Sequence, residues 1–239
     1  MHWLLSELQK LGGYYQCPES PEGKPLGPLV GYAGKYDDDG TKKQFVGKVY
    51  YNFAKGEQNP KFRQTCAYQL RHAVVETFAH VDYVIGLPMG GIMLAVELGN
   101  QLGCDTVFAE KQIIALATDT AREQSRLVLQ RHNLERQSRI VLVEDVCNNF
   151  STTIEAIQLV ESLGCDVAGI ACAINRSPED HFHALNYVWP VASVVHQHTP
   201  EWKQDDPVVA EDIAAGNVVW KPKNEWDRLA EAMKAVQRG

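Results

Sequence analysis

From residue 83 to residue 174 the chain alternates short apolar runs with turns and helix-like stretches, and this rhythm restricts its fold more than any other feature. Residues 83–87, 106–109, 139–143 and 167–174 are apolar and rich in β formers. Between them, 92–102 reads as a helix ended by Gly103. A second helix opens after the loop 144–151 and is stopped by Gly164. Strand, turn, helix and strand in repetition predict an α/β fold, a central parallel sheet with crossover helices. Residues 187–195 add another strand. Residues 112–130 are polar with weak periodicity and read as a long excursion.

Outside that region the pattern is looser. Residues 3–11 predict a short amphipathic helix, with Trp3, Leu4, Leu8 and Leu11 at helical spacing and Gly12-Gly13 as its stop. Residues 17–43 hold many Pro, Gly and Asp, among them Asp37-Asp38-Asp39-Gly40, and predict loops and turns with short strands around 29–33. Residues 48–53 are rich in β formers. Residues 60–79 read as a helix, with Pro60 near its start and Ala67, Leu70, Val74 and Phe78 on one face. The last helix is expected over about 224–237. A chain of 239 residues suits one large α/β domain with appended pieces. The expected division is an N-terminal segment 1–60, a core 61–200 and a C-terminal arm 201–239 that helps form a dimer.

The formal net charge is −7 and no basic block offsets it, which argues against a nucleic-acid partner. The six cysteines form no C-x-x-C pair, and several lie in apolar runs. Free thiols in a reducing compartment are expected rather than a disulfide framework. No window approaches the roughly 18 apolar residues of a membrane span. The first residues lack the basic stretch of a secretory signal. The expectation is a soluble, cytoplasmic protein without a membrane partner.

In an open parallel sheet, ligands bind beyond the carboxyl ends of the strands. Two loops stand at such positions. In IGLPMGG, residues 85–91, adjacent glycines let the backbone approach a ligand or simply make a tight turn. In IVLVEDVCNNFSTTIEAI, residues 140–157, an apolar strand delivers Glu144 and Asp145 to its carboxyl end. A polar stretch, Asn148 to Thr153, then opens directly into a helix. Free N–H groups, hydroxyls and the helix dipole make such a start an anion site. Ser151 or Thr152 also serves as a plain N-cap there. Capping leaves the paired acids unexplained. Adjacent carboxylates repel and call for hydroxyl donors or a cation, which a ribose and Mg²⁺ supply.

At these residues the chain resembles the type I phosphoribosyltransferases, and the orotate enzymes among them most. VLVEDVCNNFSTT looks like the family's signature for phosphoribosyl pyrophosphate (PRPP). VIGLPMGGIMLAVELGNQLG looks like its diphosphate loop and following helix. VFAEKQ, residues 107–112, looks like the strand ending in a basic residue near the diphosphate. VAGIACAINRS, residues 167–177, looks like the strand ending in an Asp-Arg-Ser-type segment. The resemblance spans roughly residues 81–177. It implies the type I phosphoribosyltransferase fold, with a small hood from the N-terminal region.

The resemblance also implies roles. Glu144 and Asp145 contact the ribose hydroxyls, and Asp145 helps stabilise positive charge on the ring. Asn148, Asn149, Phe150, Ser151, Thr152 and Thr153 hold the 5-phosphate. Met89, Gly90 and Gly91 face the diphosphate, and Lys111 offsets its charge. Mg²⁺ bridges diphosphate and ribose oxygens. The implied reaction moves the phosphoribosyl group from PRPP to a base, orotate foremost, in a homodimer.

Three departures stand out. The family's phosphate loop is Thr/Gly-rich, whereas here both glycines are replaced, one by Phe150. The excursion 112–130 lacks the Lys-x-His-Gly segment of many orotate enzymes. Its remaining cations are Arg122 and Arg126, read either as diphosphate contacts or as part of a solvated helix. The usual base-side pattern is missing near the N-terminus, and Tyr51, Asn52 and Phe53 are the candidates in its place. These departures keep open a chain that binds PRPP or a nucleotide as a sensor, or a transferase for another base. The pairs His181/His183 and His196/His198 offer one-faced imidazoles on strands, without a third metal ligand at a convincing spacing.

Overall fold

The computed structural model describes residues 1–115 and 124–236. In chain order the elements are α1 (Trp3–Lys10), β1 (Tyr14–Gln16), β2 (Leu29–Asp38), β3 (Thr41–Gly47), β4 (Val49–Tyr51), α2 (Ala54–Glu57), α3 (Pro60–Thr77) and β5 (Tyr83–Gly86). There follow α4 (Gly90–Leu102), β6 (Asp105–Phe108), β7 (Glu110–Ala115), β8 (Gln124–Val128), β9 (Arg139–Cys147), α5 (Ser151–Ser162), β10 (Asp166–Asn175), β11 (His181–Ala184) and β12 (Tyr187–His196). The chain closes with β13 (Glu201–Trp202), α6 (Ala210–Ala214), β14 (Val218–Val219) and α7 (Trp226–Val236). Two units emerge, one of residues 57–198 and one of 1–56 with 199–239.

The first unit holds the sheet that the apolar rhythm predicts. Its strand order is β11-β12-β10-β9-β5-β6. β12, β10, β9, β5 and β6 run parallel, and β11 is an antiparallel edge. Alternate residues serve opposite faces. Ile85, Ile140, Leu142 and Ile170 bury against Ala156, Ile157 and Val160 of α5. On the other face Val84 lies against Gly99 of α4, and Gly169 against Phe78 at the end of α3. Local signals set the helix ends: Asn59 caps α3 by accepting from the Lys61 and Phe62 N–H groups, and Gly103 leaves α4 in the left-handed region at φ 70°.

One register detail creates the site. β5 pairs with β9 from Tyr83↔Ile140 to Gly86↔Val143 and stops there. β10 stays paired with β9 to Asn175↔Cys147. Residues 144–147 therefore continue a strand that has a partner on one side only. The expected loop 144–151 is in its first half strand, because β10 keeps supplying hydrogen bonds after β5 has ended.

The second unit has its own core of Tyr15, Leu29, Val30, Tyr32 and Val46 with Val209, Val218, Val219 and Leu229. The N-terminal segment and the C-terminal arm thus share one core. β2 and β3 form a hairpin through Asp39 and Gly40, both at positive φ, so the strand expected around 29–33 runs on to Asp38.

Residues 112–130 also depart from expectation. Their described parts are β7 and β8, an antiparallel pair, and not a helix or a structureless excursion. Leu127 supplies the reason: it is buried in the core beside α5, anchoring a strand whose polar neighbours mask its periodicity. Among the described residues no helix is long and apolar enough to cross a membrane.

Candidate active site

The loops after β5 and β9 meet where the sheet opens. Leu87 N–H donates to the Val143 carbonyl at 2.9 Å, tying the first loop to the strand that carries the acids. A Cβ on Gly90 would sit 2.6 Å from Asp145 Oδ1 and nearer still to Oδ2. A Cβ on Gly91 would strike the Val143 carbonyl. The two glycines are thus required by close approach, and the plain-turn reading does not account for them. Met89 is exposed at the tip, after a cis Pro88–Met89 peptide.

The acids share an environment that disfavours two charges. Burial pushes the Glu144 carboxyl up to about 8, the adjacent Asp145 charge adds to this, and the Lys111 ammonium opposes it. Lys111 is therefore close enough for its charge to act on Glu144. Asp145 Oδ1 accepts the Val146 N–H at 2.8 Å. A third carboxylate, Glu57, belongs to the same neighbourhood. Burial raises its carboxyl, Asp145 raises it further, and Arg63 lowers it. Its Oε2 is buried without a hydrogen-bond partner. Sequence reasoning missed Glu57, since nothing in a four-residue helix far upstream signals that it feels the charge of residue 145. Three carboxyl groups, two of them held above their ordinary range, suit a divalent cation bound with a polyanion.

Residues 148–153 line a hollow of about 120 Å³ together with Glu144, Val146 and Cys147. Since a water occupies about 30 Å³ of liquid, a phosphate-sized group fits. Phe150 is the N-cap of α5 at φ 54°, ψ 19°, and gives the first turn no side-chain hydrogen bond. It keeps the left-handed backbone that a glycine adopts freely, at a cost of about 1–2 kcal/mol. Its ring stacks on Phe182 of β11, centroids 4.4 Å apart, so its bulk is absorbed by the core. Asn149 Oδ1 accepts from the Ser151 amide and hydroxyl at 3.3 and 3.2 Å. Thr152 is partly exposed, whereas Thr153 is buried. Phe182 is the second residue missed, because its strand is only four residues long.

Other candidates are dispersed. In the β7–β8 register Lys111 faces Leu127, whereas Arg126 faces Gln112 and donates to its Oε1 at 3.1 and 3.2 Å. Arg126 is on the hairpin face opposite Lys111. Arg122 lies outside the described residues. Tyr51 ends β4, the Asn52 N–H donates to the Gly13 carbonyl, and Phe53 is buried. Asn175 is a structural residue: its Oδ1 accepts from the Ser177 amide and hydroxyl.

The phosphoribosyl transferase domain family matches residues 57–211. Among curated proteins, an orotate phosphoribosyltransferase from Thermoanaerobacter sp. (strain X514) is 30% identical over 167 residues, covering 69% of this chain and 79% of the relative. One from Caldanaerobacter subterraneus subsp. tengcongensis is 29% identical over 169 residues, with the same shares. The solved orotate phosphoribosyltransferase from Aeropyrum pernix matches 81% of this chain and 93% of its own, at TM-score 0.55 and 16% identity, which supports the fold alone. The family match covers more than half the chain, joins the two glycine and acid loops in one segment, and takes in α5 with its phosphate-sized hollow. The chain therefore belongs to the phosphoribosyl transferase domain family and is a pentosyltransferase of the α/β fold with a mostly parallel central sheet.

Proposed function

We propose that the chain transfers the phosphoribosyl group of PRPP to a ring nitrogen of orotate, giving orotidine 5′-monophosphate and diphosphate. The observation that carries this reading is the close approach of Gly90 to the Asp145 carboxylate, which leaves no room for a Cβ. It brings the turn after β5 close to the acid pair, which supports reading the turn as the diphosphate loop and the acids as ribose contacts. The curated relatives being orotate enzymes supports the choice of base.

In the reaction the bond from the anomeric carbon to the diphosphate oxygen breaks, and its electron pair leaves with diphosphate. The base nitrogen, having given up its proton, supplies the pair for the new C–N bond. The ring carries positive charge between these events, and in this reading the Asp145 carboxylate stabilises it. Glu144 accepts ribose hydroxyl hydrogen bonds once it is ionised, which Lys111 favours. The amides and hydroxyls of 148–153 fix the 5-phosphate, so positioning and electrostatics do most of the work. When bound with PRPP, Mg²⁺ offsets diphosphate charge. Glu57, Glu144 and Asp145 are the residues whose acidity suits its neighbourhood.

A second reading is favoured by Phe150, which stands where the family carries glycine: binding of PRPP without turnover. The two are separated by incubating the chain with PRPP, Mg²⁺ and a panel of bases. Diphosphate release with orotate supports the first. Calorimetric binding with no release for any base supports the second.

A further inference from the structure

We propose that Glu179, His181 and His183 form a site for one borderline divalent metal ion such as Zn²⁺, which stiffens the strand behind the phosphate loop. His181 and His183 alternate with Phe182 along β11, so both imidazoles share one face and the phenyl ring takes the other. Glu179 precedes the strand. One donor atom from each of the three lies within 4.8 Å of the others. His181 Nε2 is 2.6 Å from Glu179 Oε2, and His183 Nε2 is 3.8 Å from the same oxygen. Ligand atoms around tetrahedral zinc stand about 3.3 Å apart, so small side-chain adjustments close the set and leave a fourth position for water.

The surroundings favour the metal-bound arrangement. His181 Nδ1 is 3.1 Å from Asp180 Oδ1, the placement in which a carboxylate orients a histidine whose other nitrogen binds metal. The ligand loop is pinned from below. The Glu179 carbonyl accepts from Asn175 Nδ2 at 2.8 Å and Ser177 Oγ at 2.9 Å, both on buried residues. The Asp180 carbonyl accepts from Val191 N–H at 2.8 Å. A loop so held loses little freedom when it binds an ion.

The consequence runs through Phe182. It stacks on Phe150, the left-handed cap of α5, and lies 6.1 Å from Trp189 in a second stack. An ion holding residues 179, 181 and 183 immobilises the ring on which residue 150 rests.

The test is calorimetric titration of the full chain with Zn²⁺, repeated for Glu179→Gln and His183→Ala, together with the absorption spectrum of the Co²⁺ form. The expected result is one ion per chain, about tenfold or more weaker in either variant, with no thiolate charge-transfer band. No saturable binding, equal affinity in both variants, or a thiolate band that assigns the ion to cysteines would overturn the site. Hydrogen exchange measures the stiffening: amides 149–153 exchange more slowly with Zn²⁺ bound in the native chain but not in Glu179→Gln. Unchanged exchange with the ion bound overturns the clamp.

Discussion

Replacing Glu144 by Gln tests the electrostatics of the acid pair directly. The Glu144 carboxyl is raised from 4.5 to about 8, mainly by burial and then by Asp145. The folded chain therefore keeps a proton that the unfolded chain has lost between about pH 4.5 and 8. Stability falls as pH rises through that window. Between about pH 6 and 9 the full shift corresponds to roughly 2.7 kcal/mol. Glu144 is only partly buried, and solvent discounts that figure to about 1–2.5 kcal/mol. For a chain of this size that is a fall of about 2–10 °C in melting temperature. Glu144→Gln has no proton to lose, so its melting temperature should decline less by that amount. The assay is thermal unfolding of both proteins by circular dichroism at the two pH values, without ligand. Parallel declines would refute the claim that Glu144 is held protonated by its surroundings.

Other substitutions probe the remaining contacts. Gly90→Ala drives a methyl into the Asp145 carboxylate, so kcat/KM should drop about a hundredfold while thermal unfolding shows a loss of only about 1–3 kcal/mol. Phe150→Gly relieves the left-handed backbone but removes the stack on Phe182; urea unfolding should register a net loss of about 2–3 kcal/mol. Lys111→Ala should weaken PRPP binding by calorimetry about tenfold, an effect that shrinks as salt is raised, while Arg126→Ala on the opposite hairpin face leaves affinity within about twofold.

Much of this was readable from residues alone, for physical reasons. Strands buried on both faces produce the runs at 83–87, 139–143 and 167–174, and glycines at 103 and 164 stop the helices between them. The acid pair and the glycine pair were readable because each breaks an apolar pattern at a strand end. Four things were not. Glu57 feels the Asp145 charge only once the chain is folded. The β7–β8 hairpin is anchored by Leu127 within a polar sequence. Phe150 reads as a bulky replacement for glycine, and only the fold reveals that its ring turns inward onto Phe182. Glu179 likewise joins His181 and His183 only after Asn175 and Ser177 fold its loop back.

The central claim is that Asp145, pressed against Gly90, serves phosphoribosyl transfer from PRPP. The most direct test is diphosphate release from PRPP with Mg²⁺ and orotate, for the native chain and for Asp145→Asn. The account predicts steady release by the native chain and a kcat at least about tenfold lower in the variant, a loss of about 1.4 kcal/mol of transition-state stabilisation. No release with orotate or any other base, or equal turnover by the two proteins, would contradict it.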